Sequence, residues 1–171
     1  MDIVVTVAGP DGHPLLRWSG GTARCAIGRG GISCDKHEGD GATPVGRFPL
    51  RQALYRADRI AQPATALPLQ RIGRDDGWCD DPADAAYNRP VPLPYAASHE
   101  RLWRDDALYD ILIVVGHNDD PVRPGRGSAI FIHVASADFT PTAGCVALTI
   151  ADLQTLLRAC RPGDQLIVAA S

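Results

Sequence analysis

Ile111-Leu112-Ile113-Val114-Val115 and Ala129-Ile130-Phe131-Ile132-His133-Val134-Ala135 are the stretches whose reading decides the fold. The first is a continuous apolar run of strand length, the pattern of a strand buried on both faces at the centre of a sheet. The second alternates as its neighbour: Phe131, His133 and Ala135 fall on one face, Ile130, Ile132 and Val134 on the other. An imidazole therefore points away from the isoleucine face.

Outward from this pair the chain reads as strands punctuated by glycine and proline. Strands are expected at residues 3–7, 15–18, 23–27 and 47–54, with Gly20-Gly21 as a hairpin turn. Residues 28–46 are too glycine-rich for helix or regular strand. Residues 75–106 form a long irregular region with Pro82, Pro90, Pro92 and Pro94; loops of that length in a compact domain are usually functional. Its Trp78, Tyr87, Tyr95 and Trp103 are more than a solvated linker needs. One helix is expected at about residues 149–160, with Thr149 as N-cap, Asp152 three positions on, Leu153, Leu156, Leu157 and Cys160 at helical spacing, and Pro162-Gly163 as the stop. Residues 165–169 close as a last strand.

The 171 residues suit a single domain, and 45% hydrophobic with 22% charged residues is ordinary globular composition. A net charge of -3 gives no support to nucleic-acid binding, which shows as a basic excess. No apolar run approaches a membrane span, and the first seven residues lack the basic start and apolar centre of a signal peptide. Five cysteines leave at least one unpaired, and Cys145 is the candidate. Cys25, Cys34, Cys79 and Cys160 are expected to be buried free thiols.

Several motifs fail on inspection. Gly28-Arg29-Gly30-Gly31-Ile32-Ser33 starts like a dinucleotide fingerprint, but Ser33 takes the third glycine position and no helix follows. His99-Glu100-Arg101-Leu102-Trp103 starts like a zinc-protease helix, with Trp103 where the second histidine belongs. The acids of residues 35–40 lack the spacing of a calcium loop. What remains is His133 with Thr142-Ala143-Gly144-Cys145. A cysteine nucleophile needs a nearby imidazole and backbone amides that receive an oxyanion. Gly144 lets amides turn toward such a charge, and the Thr142 hydroxyl braces the turn. Chemistry alone stops at a cysteine acyl-transfer site, hydrolase or transferase.

At these residues the chain resembles the L,D-transpeptidase catalytic domain (YkuD) family, in which a histidine precedes a Ser/Thr-x-Gly-Cys element. Gly39-Asp40-Gly41-Ala42-Thr43-Pro44-Val45-Gly46 is similar to the family's upstream Thr-Pro-x-Gly element. The resemblance runs through residues 75–82, Tyr87-Asn88-Arg89, Ser98-His99-Glu100 and Gly116-His117-Asn118-Asp119, blocks that look like a compact, divergent branch. It implies a mainly β, curved sandwich with short helices, one catalytic domain over residues 1–171, and peptidoglycan stem peptides as substrate. Cys145 would be the nucleophile and His133 the base and then the proton donor. A backbone carbonyl, with Val134 the candidate, would fix the imidazole tautomer, and the Gly144 and Cys145 amides would hold the oxyanion. Candidate substrate contacts are Thr142, His99, His117, Asn118, Trp78, Tyr87, Trp103 and Tyr109. The acceptor amine is the diaminopimelate side chain in usual members, or an L-alanine N-terminus in a branch making the less common cross-link. No metal or organic cofactor is implied; the periplasm or cell envelope is the expected location.

Ala143 and Ala147 depart from the family pattern, standing where a second histidine and a polar residue are usual. The dyad is untouched, but donor recognition by those side chains is lost. Three readings are open: transpeptidase, L,D-carboxypeptidase or amidase of the same fold, and a non-catalytic wall-binding module.

Overall fold

A computed structural model describes residues 1–9 and 11–170. In chain order the elements are β1 (Asp2–Thr6), β2 (Leu15–Trp18), β3 (Gly21–Arg24), β4 (Ile32–Ser33), β5 (Thr43–Pro44), β6 (Gly46–Tyr55), β7 (Leu69–Arg71), β8 (Asp76–Cys79), β9 (Pro90–Pro92), β10 (His99–Arg101), β11 (Ile111–Val115), β12 (Phe131–Val134), β13 (Val146–Leu148), α1 (Ile150–Ala159) and β14 (Gln165–Val168). The fold is mainly β. α1 is the helix expected at about residues 149–160 and the α-helix among the described residues.

One large sheet has the order β13-β12-β11-β6-β14-β1-β2-β3, with β7 also paired to β6. The long β6 spans both halves: residues 50–55 pair with β11 and residues 46–49 with β14. Just beyond β3, Ala26 and Ala147 exchange N–H···O bonds of 2.8 and 2.9 Å, tying the far end of the sheet back to β13. The sheet thus curls into a near-barrel, leaving little unpaired edge.

The alternation read in residues 129–135 separates two cores. Ile111, Ile113, Ile130, Ile132 and Val134 pack with Leu153, Leu156 and Leu157 of α1 and with β1, β2 and β14. Each of those helix leucines is fully buried, which stabilises the fold by about 1.5–3 kcal/mol apiece. The Thr149 hydroxyl accepts the Asp152 amide at 3.1 Å and so caps the helix, a contribution of about 1 kcal/mol. On the opposite face Leu112, Val114 and Phe131 pack with Trp78, Leu102, Tyr109 and Cys145.

Residues 75–106 are not irregular throughout: β8 pairs with both β9 and β10 in a small separate sheet. Prolines at both ends of β9 hid it, since they interrupt any strand pattern. The glycine-rich stretch 28–46 holds a short parallel pair, β4 with β5. The first hairpin turns at Ser19-Gly20 rather than Gly20-Gly21, and β3 ends at Arg24 rather than reaching residue 27. Gly21 is opposite Trp18, where a side chain would meet the indole at 2.9 Å. All five cysteines are free; Cys34 is exposed, contrary to expectation, because the loop after β4 carries it away from the core.

Candidate active site

Parallel pairing of β12 with β13 matches Ile132 to Val146 and His133 to Ala147. Cys145, one residue before Val146, lies alongside Phe131, two residues before His133 on the same face. The Cys145 sulfur accepts the Phe131 amide at 3.3 Å and donates to the Ala129 carbonyl at 3.2 Å. Among the described residues no hydrogen bond joins it to His133. The imidazole is held by Nδ1, 2.9 Å from the Val134 carbonyl. A carbonyl only accepts, so Nδ1 carries the proton and Nε2 keeps its lone pair.

Thiol and imidazole are both buried, 8% and 6% exposed, and burial sets their protonation. The Cys145 thiol is pushed up to about 12 by burial and then by the charge of Glu100, against the Phe131 amide and Lys36. Burial likewise pushes His133 down to about 4, with Arg104 adding to it and the Val134 carbonyl and Asp106 opposing. The resting pair is a neutral thiol beside a neutral imidazole.

The turn that presents Cys145 is stitched to the strand extension past β3. Thr142 donates its amide to the Ile27 carbonyl at 2.9 Å, and its own carbonyl accepts the Arg29 amide at 2.8 Å. Its hydroxyl donates to the Cys145 carbonyl at 2.6 Å and accepts the Gly144 amide at 3.1 Å. Gly144 has φ +138, and a Cβ there would come within 2.9 Å of the Ala42 carbonyl oxygen. The expectation that the Gly144 amide waits for an oxyanion needs correction, because the Thr142 hydroxyl occupies it. The Ala143 and Cys145 amides have no partner among the described residues.

Thiol and imidazole open on a cleft of about 1190 Å³ between the β12–β13 end and the small sheet. His99, Trp103, Tyr109 and Thr142 line it, with Ala143 and Ala147. The Tyr109 ring meets His133 edge-on, centroids 5.3 Å apart, and its hydroxyl donates to Glu100. Trp103 lies under the Arg56 and Arg74 guanidiniums, 3.6 and 4.8 Å from its ring centroid.

Trp78, Tyr87, His117 and Asn118 are not on this cleft. Trp78 packs edge-on against Phe131 and donates its indole N–H to Asn88 at 3.0 Å. The His117 and Asn118 carbonyls accept the two Asn88 amide protons at 3.0 and 2.8 Å. Asn88 Oδ1 also accepts the Ala129 amide at 3.1 Å. Ala129 itself sits at φ +50, and its carbonyl is the one that receives the thiol. Asn88 thus joins three blocks of the chain behind the nucleophile. Tyr87 donates to Glu38, which also accepts the Ser128 hydroxyl at 2.7 Å.

Sequence reading missed the charged lining: Glu38, Glu100, Asp80 and the arginines 74, 101 and 104. In the sequence Glu38 reads only as part of an ill-spaced calcium loop, and Glu100 only as part of a failed zinc helix and of a resemblance block beside His99. Their shared wall depends on the small sheet, which the prolines concealed.

The family model of the L,D-transpeptidase catalytic domain, YkuD, matches residues 5–168 of this chain. No curated protein matches it.

Proposed function

We propose, for a chain that belongs to the L,D-transpeptidase catalytic-domain family, that it cross-links peptidoglycan stem peptides through a thioester on Cys145. The observation that carries this is the placement of the thiol and a base-competent imidazole on one face, opening together on a cleft large enough for a peptide.

The thiol first turns from the Ala129 carbonyl toward His133 Nε2, which takes its proton as sulfur attacks the carbonyl of the L-centre of diaminopimelate in a tetrapeptide stem. The oxyanion is received by the Ala143 and Cys145 amides. His133 then gives the proton to the departing D-alanine nitrogen, leaving the acyl-enzyme. The neutral resting pair suits this order, because proton and carbon–sulfur bond move together and no standing thiolate is required. An amine of a second stem resolves the thioester. We assign that amine to the L-alanine N-terminus, in keeping with the divergent blocks of the chain. The cell envelope is the place where such stems are met. No helix among the described residues is long and apolar enough to cross a membrane.

Incubation of disaccharide-tetrapeptide donors with free tetrapeptide stems, whose L-alanine amine is not blocked by the sugar, and resolution of the products by mass test the reading. A dimer lacking one D-alanine, absent with Cys145→Ala, is expected; turnover retained in that variant would sink it. Shortened monomers alone would favour the carboxypeptidase.

A further inference from the structure

We propose that Glu100 is the base that strips the first proton from the acceptor ammonium, making this site a transferase rather than a hydrolase; the inference rests on the transpeptidase reading. An acceptor amine reaches the cleft protonated at neutral pH. Becoming an amide nitrogen, it must lose two protons. His133 handles one, passing it to the Cys145 sulfur as the thioester breaks. The other needs a second acceptor.

Glu100 is placed for that task. It lines the cleft with Cys145 and His133, and its charge is the strongest electrostatic influence on the thiol. The Tyr109 hydroxyl donates to it while the Tyr109 ring rests against His133, so carboxylate, phenol and imidazole form one contiguous wall. Burial raises its pKa above that of an ordinary carboxylate, with Asp80 and Glu38 adding to the rise and the Tyr109 hydroxyl and Arg104 opposing it. A more basic carboxylate is a better proton acceptor. Asp80 lines the same cleft and has a buried Oδ1 with no hydrogen-bond partner among the described residues, a vacant acceptor for an ammonium. Glu38 is less free, its Oε2 already taking the Tyr87 and Ser128 hydroxyls.

The proton count balances. Ammonium, thioester and Glu100 carboxylate yield amide, Cys145 thiol and protonated Glu100: one proton stays on the amide nitrogen, one goes to Glu100, and one passes through His133 to sulfur. Water attacking the same thioester loses only the proton that His133 relays. Glu100 therefore favours amines over water as acceptors.

The test loads Cys145 with a tetrapeptide, measures D-alanine release in the first turnover, and chases the acyl-enzyme with excess acceptor peptide, reading dimer against free tripeptide acid by mass. Glu100→Gln keeps the size of the side chain and an oxygen for the Tyr109 hydroxyl. Removing the Glu100 charge eases loss of the thiol proton, so first-turnover release is read separately, and the expected result is a dimer-to-acid ratio that falls about 100-fold at pH 7, the usual worth of a general base. The ratio should recover as pH rises past the acceptor amine's own pKa, about 8 for an α-amine, and Glu100→Asp should restore part of it at pH 7. A wild-type ratio in Glu100→Gln at pH 7 overturns the proposal. So does a fall in acylation with the ratio unchanged, which would mark a structural role. Absence of any acyl-enzyme in the wild type would instead defeat the transpeptidase reading itself.

Discussion

Replacing Asn88 by alanine should be among the most damaging single changes outside the cleft. The Asn88 side chain makes four hydrogen bonds: it accepts from Trp78 Nε1 and the Ala129 amide, and it donates to the His117 and Asn118 carbonyls. Truncation orphans two buried donors, at about 1–3 kcal/mol each. The two carbonyls are half-buried and can take water, so each forfeits only about 0.5–1.5 kcal/mol. Asn88 also sits at φ +56, which costs alanine roughly 1–2 kcal/mol. Water entering the vacated space recovers part of this, and we expect a loss of about 4 kcal/mol, a large fraction of the 5–15 kcal/mol typical of a domain. Urea unfolding followed by circular dichroism measures it. Asn88→Gly loses the same bonds without the backbone strain and should be about 1 kcal/mol more stable than Asn88→Ala. Wherever the variants stay folded, Cys145 alkylation should quicken, because the Ala129 carbonyl that holds the thiol is no longer fixed. A loss below about 1 kcal/mol, or a glycine variant weaker than the alanine one, would refute the account of Asn88 as the anchor behind the nucleophile.

Three further outcomes follow from the site. With the thiol pushed up to about 12 and His133 down to about 4, Cys145 alkylation in a Cys34→Ser background should rise about tenfold per pH unit from pH 6 to 10. A plateau near pH 6, the mark of a resting thiolate–imidazolium pair, would contradict it. Stability should fall as pH drops from the unfolded histidine value near 6.5 toward 4: the unfolded chain binds the proton that buried His133 refuses, costing up to roughly 3 kcal/mol. His133→Gln should flatten that part of the pH profile of unfolding free energy, and an unchanged slope would count against it. Thr142→Val removes the hydroxyl that accepts the Gly144 amide and donates to the Cys145 carbonyl, so it should lower stability by about 1–3 kcal/mol and slow acylation, while Thr142→Ser keeps most of both.

The central strands were legible because residues 111–115 are a short continuous apolar run and residues 129–135 alternate, an alternation that already separates the two cores. α1 was legible because Thr149, Asp152 and its leucines signal locally. β7 and the small sheet were not, since β9 is a single valine between prolines and is held only by β8. The same limit applied to the cleft wall. Glu100 shares the cleft with the thiol because β10 pairs with β8, Glu100 opposite Trp78, a contact between distant residues that no local pattern announces. Trp78, His117 and Asn118 were expected at the substrate; they meet instead on Asn88, which the sequence marked only as part of the Tyr87-Asn88-Arg89 block and with no role of its own.

The sequence by itself determined a mainly β chain, the strand that carries His133 and the glycine turn that carries Cys145, because periodicity, capping and turn chemistry act between near neighbours. Only tertiary structure decided how the dyad rests. Burial makes thiol and imidazole neutral, and the Ala129 carbonyl, itself placed by Asn88 from another part of the chain, chooses where the thiol points. Desolvation and hydrogen-bond partners belong to the packed molecule, and they have no value until distant segments meet.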